Sequence, residues 1–206
     1  MLLPDQIPLF PLSNVVLFPD VFLPLHIFED RYRAMTRAAL DGTKLIGMTV
    51  LRDGWQDDYE GAPPVYMTGC AGAIVHHDAL DDGRFNIVLQ GVARFEIASE
   101  IAAATPYRVA RVHWRREPND ERRAAVTRIR QQVEALLMPA IASGEVHLPQ
   151  GMQDQALINA VCQALDIPVV EKLALLEKSD VLLRGQALVP ILERLLVSRG
   201  GSGQIH

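Results

Sequence analysis

Only two cysteines, Cys70 and Cys162, occur in the 206 residues, and they stand far apart. This excludes a disulfide framework and leaves no cysteine pair at the spacing of a structural zinc site. Long apolar runs are also missing. No segment reaches the ~20 apolar residues that cross a bilayer, and Met1-Leu2-Leu3-Pro4-Asp5 has neither the basic segment nor the unbroken apolar core of a secretory signal. The expectation is a soluble, cytoplasmic protein that does not enter a membrane. Positive charge is in deficit, with a formal net charge of -5, so the overall field favours neither nucleic acid nor an anionic surface. Signatures of reaction centres are absent as well. Gly42-Thr43-Lys44 is a turn and not a phosphate cradle, because no glycine-rich loop precedes it. No serine sits in a Gly-x-Ser-x-Gly elbow; the nearest, Ser202, lies in a glycine-rich tail. Neither enzymatic activity nor a cofactor is expected.

What is present describes a folded chain with 49% hydrophobic and 22% charged residues, enough for one large domain or two small ones. Ile7 to Leu12 reads as a strand, and Pro8 and Pro11 place it at a sheet edge, since proline cannot donate to a ladder. Val15 to Phe18 reads as a short buried strand, and Pro19 and Pro24 bracket a turn into a helix from Arg31 to Leu40. Further strands are expected at Lys44 to Leu51, Val65 to His76, Phe85 to Leu89, Val92 to Ile97 and Tyr107 to Arg115. Gly69 and Gly72 allow a bulge or close approach, Asp81-Asp82-Gly83 makes a hairpin, and Gly91 breaks a strand.

Beyond Glu117 the apolar period changes from about two to about 3.6. Helices follow: one capped by Asn119 and ending at Pro139, one from Asp154 to Leu165, one from Val169 to Glu177, and one capped by Ser179 running to about Ser198 through Pro190. The expected division is a β-rich part over 1–117, a helical part over 118–199 and a flexible tail over 200–206.

Pro24-Leu25-His26-Ile27-Phe28-Glu29-Asp30-Arg31-Tyr32 concentrates apolar, ionic and aromatic groups in one place. The residues singled out as binding or motif candidates are Phe10, Phe18, His26, Phe28, Glu29, Arg31 and Tyr32. Phe10, Phe18 and Phe28 offer apolar contact to an extended peptide, although core burial is the simpler expectation for each. His26 is expected to be a hydrogen-bonded core residue, and Glu29 with Arg31 a structural ion pair at a helix start. His76-His77-Asp78 with Asp81-Asp82 resembles a metal site in composition only, because adjacent strand residues point to opposite faces; no metal is expected. Between Arg108 and Arg130 lie eight arginines, which read as a solvated face or, alternatively, as a patch for RNA or an acidic partner.

Several segments together resemble the N-terminal domain of the Lon proteases. They are Pro8-Leu9-Phe10-Pro11-Leu12, Pro24 to Tyr32, Gly69-Cys70 with Ala73-Ile74, Asp82-Gly83-Arg84, Gly91-Val92-Ala93-Arg94-Phe95, and Lys172-Leu173-Ala174-Leu175-Leu176-Glu177 with Asp180 and Arg184. Leu173 stands where that family usually has glutamine. The resemblance implies an α+β fold, with a β-rich, PUA-like pseudo-barrel followed by a helical subdomain. It implies binding of unfolded or exposed polypeptide segments, or of a protein partner in proteolysis. It implies no catalysis, since the ATPase and protease domains lie downstream in full-length Lon and this chain stops before them, like the stand-alone bacterial Lon-domain proteins. RNA binding is the alternative that the PUA-like fold leaves open.

Overall fold

The computed structural model describes residues 3–58, 61–117, 122–149 and 151–201. In chain order these form β1 (Gln6–Leu12), β2 (Phe22–Ile27), α1 (Asp30–Asp41), β3 (Leu45–Val50), β4 (Thr68–Ala79), β5 (Phe85–Ile101), β6 (Val109–Arg115), α2 (Arg123–Ala142), α3 (Asp154–Ala164), α4 (Val169–Leu176) and α5 (Val181–Gly201), with a 3-10 turn at Trp55–Asp58. The fold is α+β, and four of the helices follow the last strand, as the change of period predicts.

The strands lie in the order β2-β5-β4-β3-β1-β6, and β5 also pairs with β6. Strands β5, β4, β3, β1 and β6 therefore close into a barrel, and β2 is attached outside it. Strand β5 makes both arrangements possible: Phe85 to Gln90 pair with β2, and Arg94 to Ile101 pair with β6. Gly91 does not break this strand, contrary to expectation. It gives room instead, because a β-carbon there would collide with the carbonyl of Phe18. The register slips opposite, between Ala71 and Gly72, where the glycine-containing strand was expected to bulge.

Strand β1 is not an edge strand; it lies between β3 and β6. Its two prolines are tolerated because its partners change along its length. Residues 6–8 pair with β6 and residues 9–12 with β3. The Leu9 N–H and the Asp5 carbonyl face β6, so alternation turns the Pro8 nitrogen toward β3 before that ladder begins. The Pro11 nitrogen likewise turns toward β6 after that ladder has ended. The edge strand with a proline is β2, which carries Pro24 and pairs only with β5 among the described strands.

Val15 to Phe18 form no strand, yet Val16, Leu17 and Phe18 are buried. A buried loop needs its backbone polar groups satisfied from elsewhere, and α3 supplies the partners. Gln163 Oε1 accepts the Phe18 N–H at 3.0 Å, Asn159 Nδ2 donates to the Pro19 carbonyl at 2.9 Å, and Gln163 Nε2 donates to the Phe22 carbonyl at 3.1 Å. Gln155 adds a bond to the Asp20 carboxylate. These three α3 residues are four apart and therefore lie along one helical face.

The helices match expectation apart from their ends. Helix α1 buries Tyr32, Met35 and Ala39, and α3 buries Leu157, Ile158 and Val161. Helix α2 passes through Pro139 to Ala142, because a proline near the end forfeits one bond and the Ser143 N–H closes the last turn on the Pro139 carbonyl. Asn119, the expected cap of α2, lies outside the described residues. Asp180, not Ser179, caps α5 by accepting the Leu183 N–H at 2.9 Å. Helix α5 extends to Gly201, and the rest of the expected tail lies outside the described residues. One apolar cluster joins Phe10, Phe18, Tyr32 and Leu89 to Val133, Leu157, Leu175 and Leu188, while a second, containing Ile7, Leu9, Phe95 and Val112, is drawn from barrel strands.

Candidate functional site

The Pro24 to Tyr32 stretch is divided between two elements, because its first four residues belong to β2 and its last three to α1. Strand alternation then sorts its side chains. Phe22, Pro24, His26 and Phe28 are exposed, while Leu23 and Leu25 are partly covered and Ile27 is buried. Phe28 is 61% exposed and His26 is also at the surface, so the core positions expected for both are corrected. The apolar composition around them suggests burial, but the period of two turns them outward. The His26 ring stacks at 6.2 Å on Phe28, with Nδ1 2.7 Å from Asn86 Oδ1 and Nε2 3.2 Å from an Arg84 nitrogen.

Phe10, Phe18 and Tyr32 are buried. The Phe10 and Tyr32 rings meet at 4.3 Å, and Arg184 lies over the Phe18 ring. The Glu29 and Arg31 side chains pair at 3.0 Å while 25% and 18% exposed, and the Arg31 guanidinium lies 4.8 Å from the Tyr32 ring centre. Arg31 and Tyr32 line a cleft with Pro11, Leu51, Pro63 and Tyr107. Its other arginine, Arg108, is already engaged by Glu100 and the Pro63 carbonyl. The expected site residues thus fall into three groups, namely core, ion pair and exposed strand end.

The outer edge of β2 is the more open feature. The Gly91 N–H bonds the Val21 carbonyl, so odd-numbered residues face β5 and the backbone groups of Phe22, Pro24 and His26 face away. Gln163 occupies the Phe22 carbonyl, and Pro24 has no N–H to offer. Beyond the Phe22 end lies a groove lined by Val15, Val21, Phe22, Leu23, Ala160 and Lys172. Burial lowers the Lys172 pKa from its usual value, against a smaller opposing effect of Asp166.

Between barrel and helices lies an ionic cluster that sequence patterning does not show. Arg184 is fully buried and donates to the Leu175 carbonyl, to Asn159 Oδ1 at 2.6 Å and to Glu117 Oε1 at 2.8 Å. Arg94 donates to the same Glu117 oxygen at 3.0 Å and to the carbonyls of Leu176 and Ser179. Burial pulls the Arg94 pKa down, partly offset by Glu117. The other Glu117 oxygen is buried with no hydrogen-bond partner. Across the arginine-rich span, Arg108, Arg115, Arg122 and Arg130 face Glu100, Glu96, Asp180 and Asp154 respectively. His76 reaches only Asp78, and no group of three potential metal ligands is found among the described residues. Nor is any described helix long and apolar enough to cross a membrane.

Residues 6–194 match the family model of the ATP-dependent protease La (LON) substrate-binding domain. The chain belongs to this Lon substrate-binding domain family. Among relatives, it is 27% identical over 199 residues to Lon protease 2 of Myxococcus xanthus and 30% identical over 182 residues to the Lon protease of Flavobacterium johnsoniae. The alignments cover 93% and 84% of this chain but only 24% and 22% of those proteins. In fold it is similar to the N-terminal domain of a Mycobacterium avium complex Lon protease, with a TM-score of 0.69, 18% identity and coverage of 91% of this chain and 98% of that one. A Lon N-terminal domain protein from Xanthomonas campestris gives 0.58 at 23% identity, covering 93% and 97%. In this Lon-family domain the segments that carry the resemblance are largely structural. Leu173, Leu175 and Leu176 enter the core, Arg94 and Arg184 connect the barrel side to the helices, and Asp180 ties the start of α5 to Arg122 before α2.

Proposed function

We propose that the chain is a non-catalytic module that captures extended or unfolded polypeptide segments along the outer edge of β2. The observation carrying this is the pair of large aromatics at the two ends of that open strand, Phe22 at 57% and Phe28 at 61% exposure. An open edge offers backbone hydrogen bonds to an added strand, and flanking apolar side chains offer contacts that do not depend on one sequence. With Pro24 and Gln163 shortening the available ladder, side chains provide most of the grip. The module works in the cytoplasm in protein quality control, as an adaptor or competitor of a full-length Lon protease. ATP hydrolysis and peptide cleavage are left to other domains. The buried, unpaired Cys70 and Cys162 suit a reducing compartment. RNA binding has weaker support, since the arginine-rich span directs many of its charges at its own carboxylates.

A fluorescently labelled, reduced and alkylated protein that cannot refold serves as probe. The double variant Phe22→Ser, Phe28→Ser is expected to bind it about tenfold more weakly, equivalent to about 1.4 kcal/mol. Its thermal midpoint should stay close to wild type, because exposed substitutions typically change stability by no more than about 0.5 kcal/mol. Wild-type binding by the stable double variant removes this edge as the site.

A further inference from the structure

Lys172 is the family-motif residue whose position the core does not explain, because its leucine neighbours are buried while its ammonium group lines the groove at the Phe22 end of β2. The Nζ donates at 2.9 Å to the carbonyl of Gln163, in the last turn of α3, which is a structural task favoured at a helix C-terminus. An ammonium group has three donors, however, and this bond uses one. Asp166 is close enough to influence Lys172, yet makes no ion pair with it. The groove around it is otherwise mostly apolar, with Val15, Val21, Leu23 and Ala160 as walls and Phe22 as an exposed lip.

The strand edge indicates how a ligand would enter. Its outward groups are the Phe22 N–H, the Pro24 carbonyl and both backbone groups of His26, while the Phe22 carbonyl is already held by Gln163. A strand added along this edge meets a stopped ladder at Phe22, and the groove with its cation begins there. A chain running antiparallel to β2 brings its C-terminal end to that point. We infer that this groove receives the C-terminus of a captured polypeptide, with an apolar last side chain among Val15, Val21 and Leu23 and the terminal carboxylate on Lys172. The complementarity is that of a partly buried cation, in no ion pair among the described residues, and a carboxylate that ends a chain. The inference rests on capture at the β2 edge and specifies which part of the polypeptide lies at one end of it.

The test uses the whole protein and three labelled versions of one short peptide of Ser, Thr and Val ending in Leu. The first has a free C-terminal carboxylate, the second a C-terminal amide, and the third a C-terminal amide with Glu before the final Leu. The free acid should bind about tenfold more tightly than either amide. Lys172→Met, which keeps the apolar stem, should abolish that difference. Lys172→Arg should restore it, and melting curves of both variants would show how far the contact to Gln163 supports the fold. Equal binding of acid and amide by wild type overturns the inference, as does an acid preference that survives in Lys172→Met. Binding of the Glu-containing amide at the strength of the free acid also overturns it, because the site would then read acidic side chains. If the unfolded-protein probe still binds in those cases, capture at the edge stands and only the reading of the chain end has failed. Failure of every probe to bind wild type removes both.

Discussion

At the scale of single residues, the clearest contrast is between two arginines. Arg31 sits in a partly exposed pair with Glu29 and leans on Tyr32. An exposed pair contributes about 0–1 kcal/mol, and a cation over a ring about 0.5–1 kcal/mol. Arg31→Ala should therefore destabilise the fold by about 0.5–2 kcal/mol in urea unfolding and reduce polypeptide binding only as far as folding falls. Intact stability with abolished binding would make the motif a ligand contact. Arg184 is different, because it is wholly buried and bonds a carbonyl, an amide oxygen and a carboxylate. Arg184→Met leaves those acceptors buried, and breaking such a pair costs about 3–5 kcal/mol. The same urea measurement should show that larger loss; a cost below that of Arg31→Ala would mean that water replaces the guanidinium freely. The Arg31 pair with Glu29 is readable in the sequence as an ion pair at a helix start, and the structure has it; the role of Arg184 is not readable from residue type. The sequence shows two arginines in family-like segments, and only the fold brings Arg94, Glu117 and Arg184 together from separate parts of the chain.

At the scale of elements, apolar periodicity was readable and polar service was not. The inward face of α3 follows from the spacing of Leu157, Ile158 and Val161, and the structure agrees. Gln155, Asn159 and Gln163 have an equally regular spacing of four, but that spacing gains meaning only from the buried loop they hold. For the same reason Val15 to Phe18 looked like a strand, since burial without a ladder requires partners 140 or more residues away, as in the Asn159 bond to Pro19. The proline rule misplaced the edge at β1, because the sequence does not show where one ladder hands over to another, and Pro24, read as bracketing a turn, lies inside the strand that is an edge. The packing of α3 against α2 gives a pH test. Asp154 accepts from Thr127 at 2.6 Å and Arg130 at 2.8 Å, and the Thr127 bond is the largest influence holding its pKa below the ordinary value of 3.8. A carboxyl lowered in the folded state stabilises above its unfolded pKa and loses that contribution as pH falls through the folded one. Asp154→Asn should thus be less stable than wild type at neutral pH, and the gap should close as urea unfolding is repeated at pH values below 3.8. A gap independent of pH would assign the loss to geometry and not to charge.

At the scale of the whole molecule, one apolar cluster draws on both barrel and helices. A fragment ending at Glu117 would expose the barrel side of that cluster and leave Arg94 without the Leu176 and Ser179 carbonyls. It should be poorly soluble and lack a cooperative melt; a monomeric fragment with a sharp transition would show that the β-rich part folds alone. The placement of β1 has another consequence. Ile7 pairs with Ala110 on β6, so the first strand of this domain to be synthesised closes the barrel with its last. At about 5–20 residues per second of synthesis, β1 waits roughly 5–20 s for that partner. During that interval the nascent chain is itself an extended apolar segment with unpaired backbone, the kind of polypeptide the finished domain is proposed to hold.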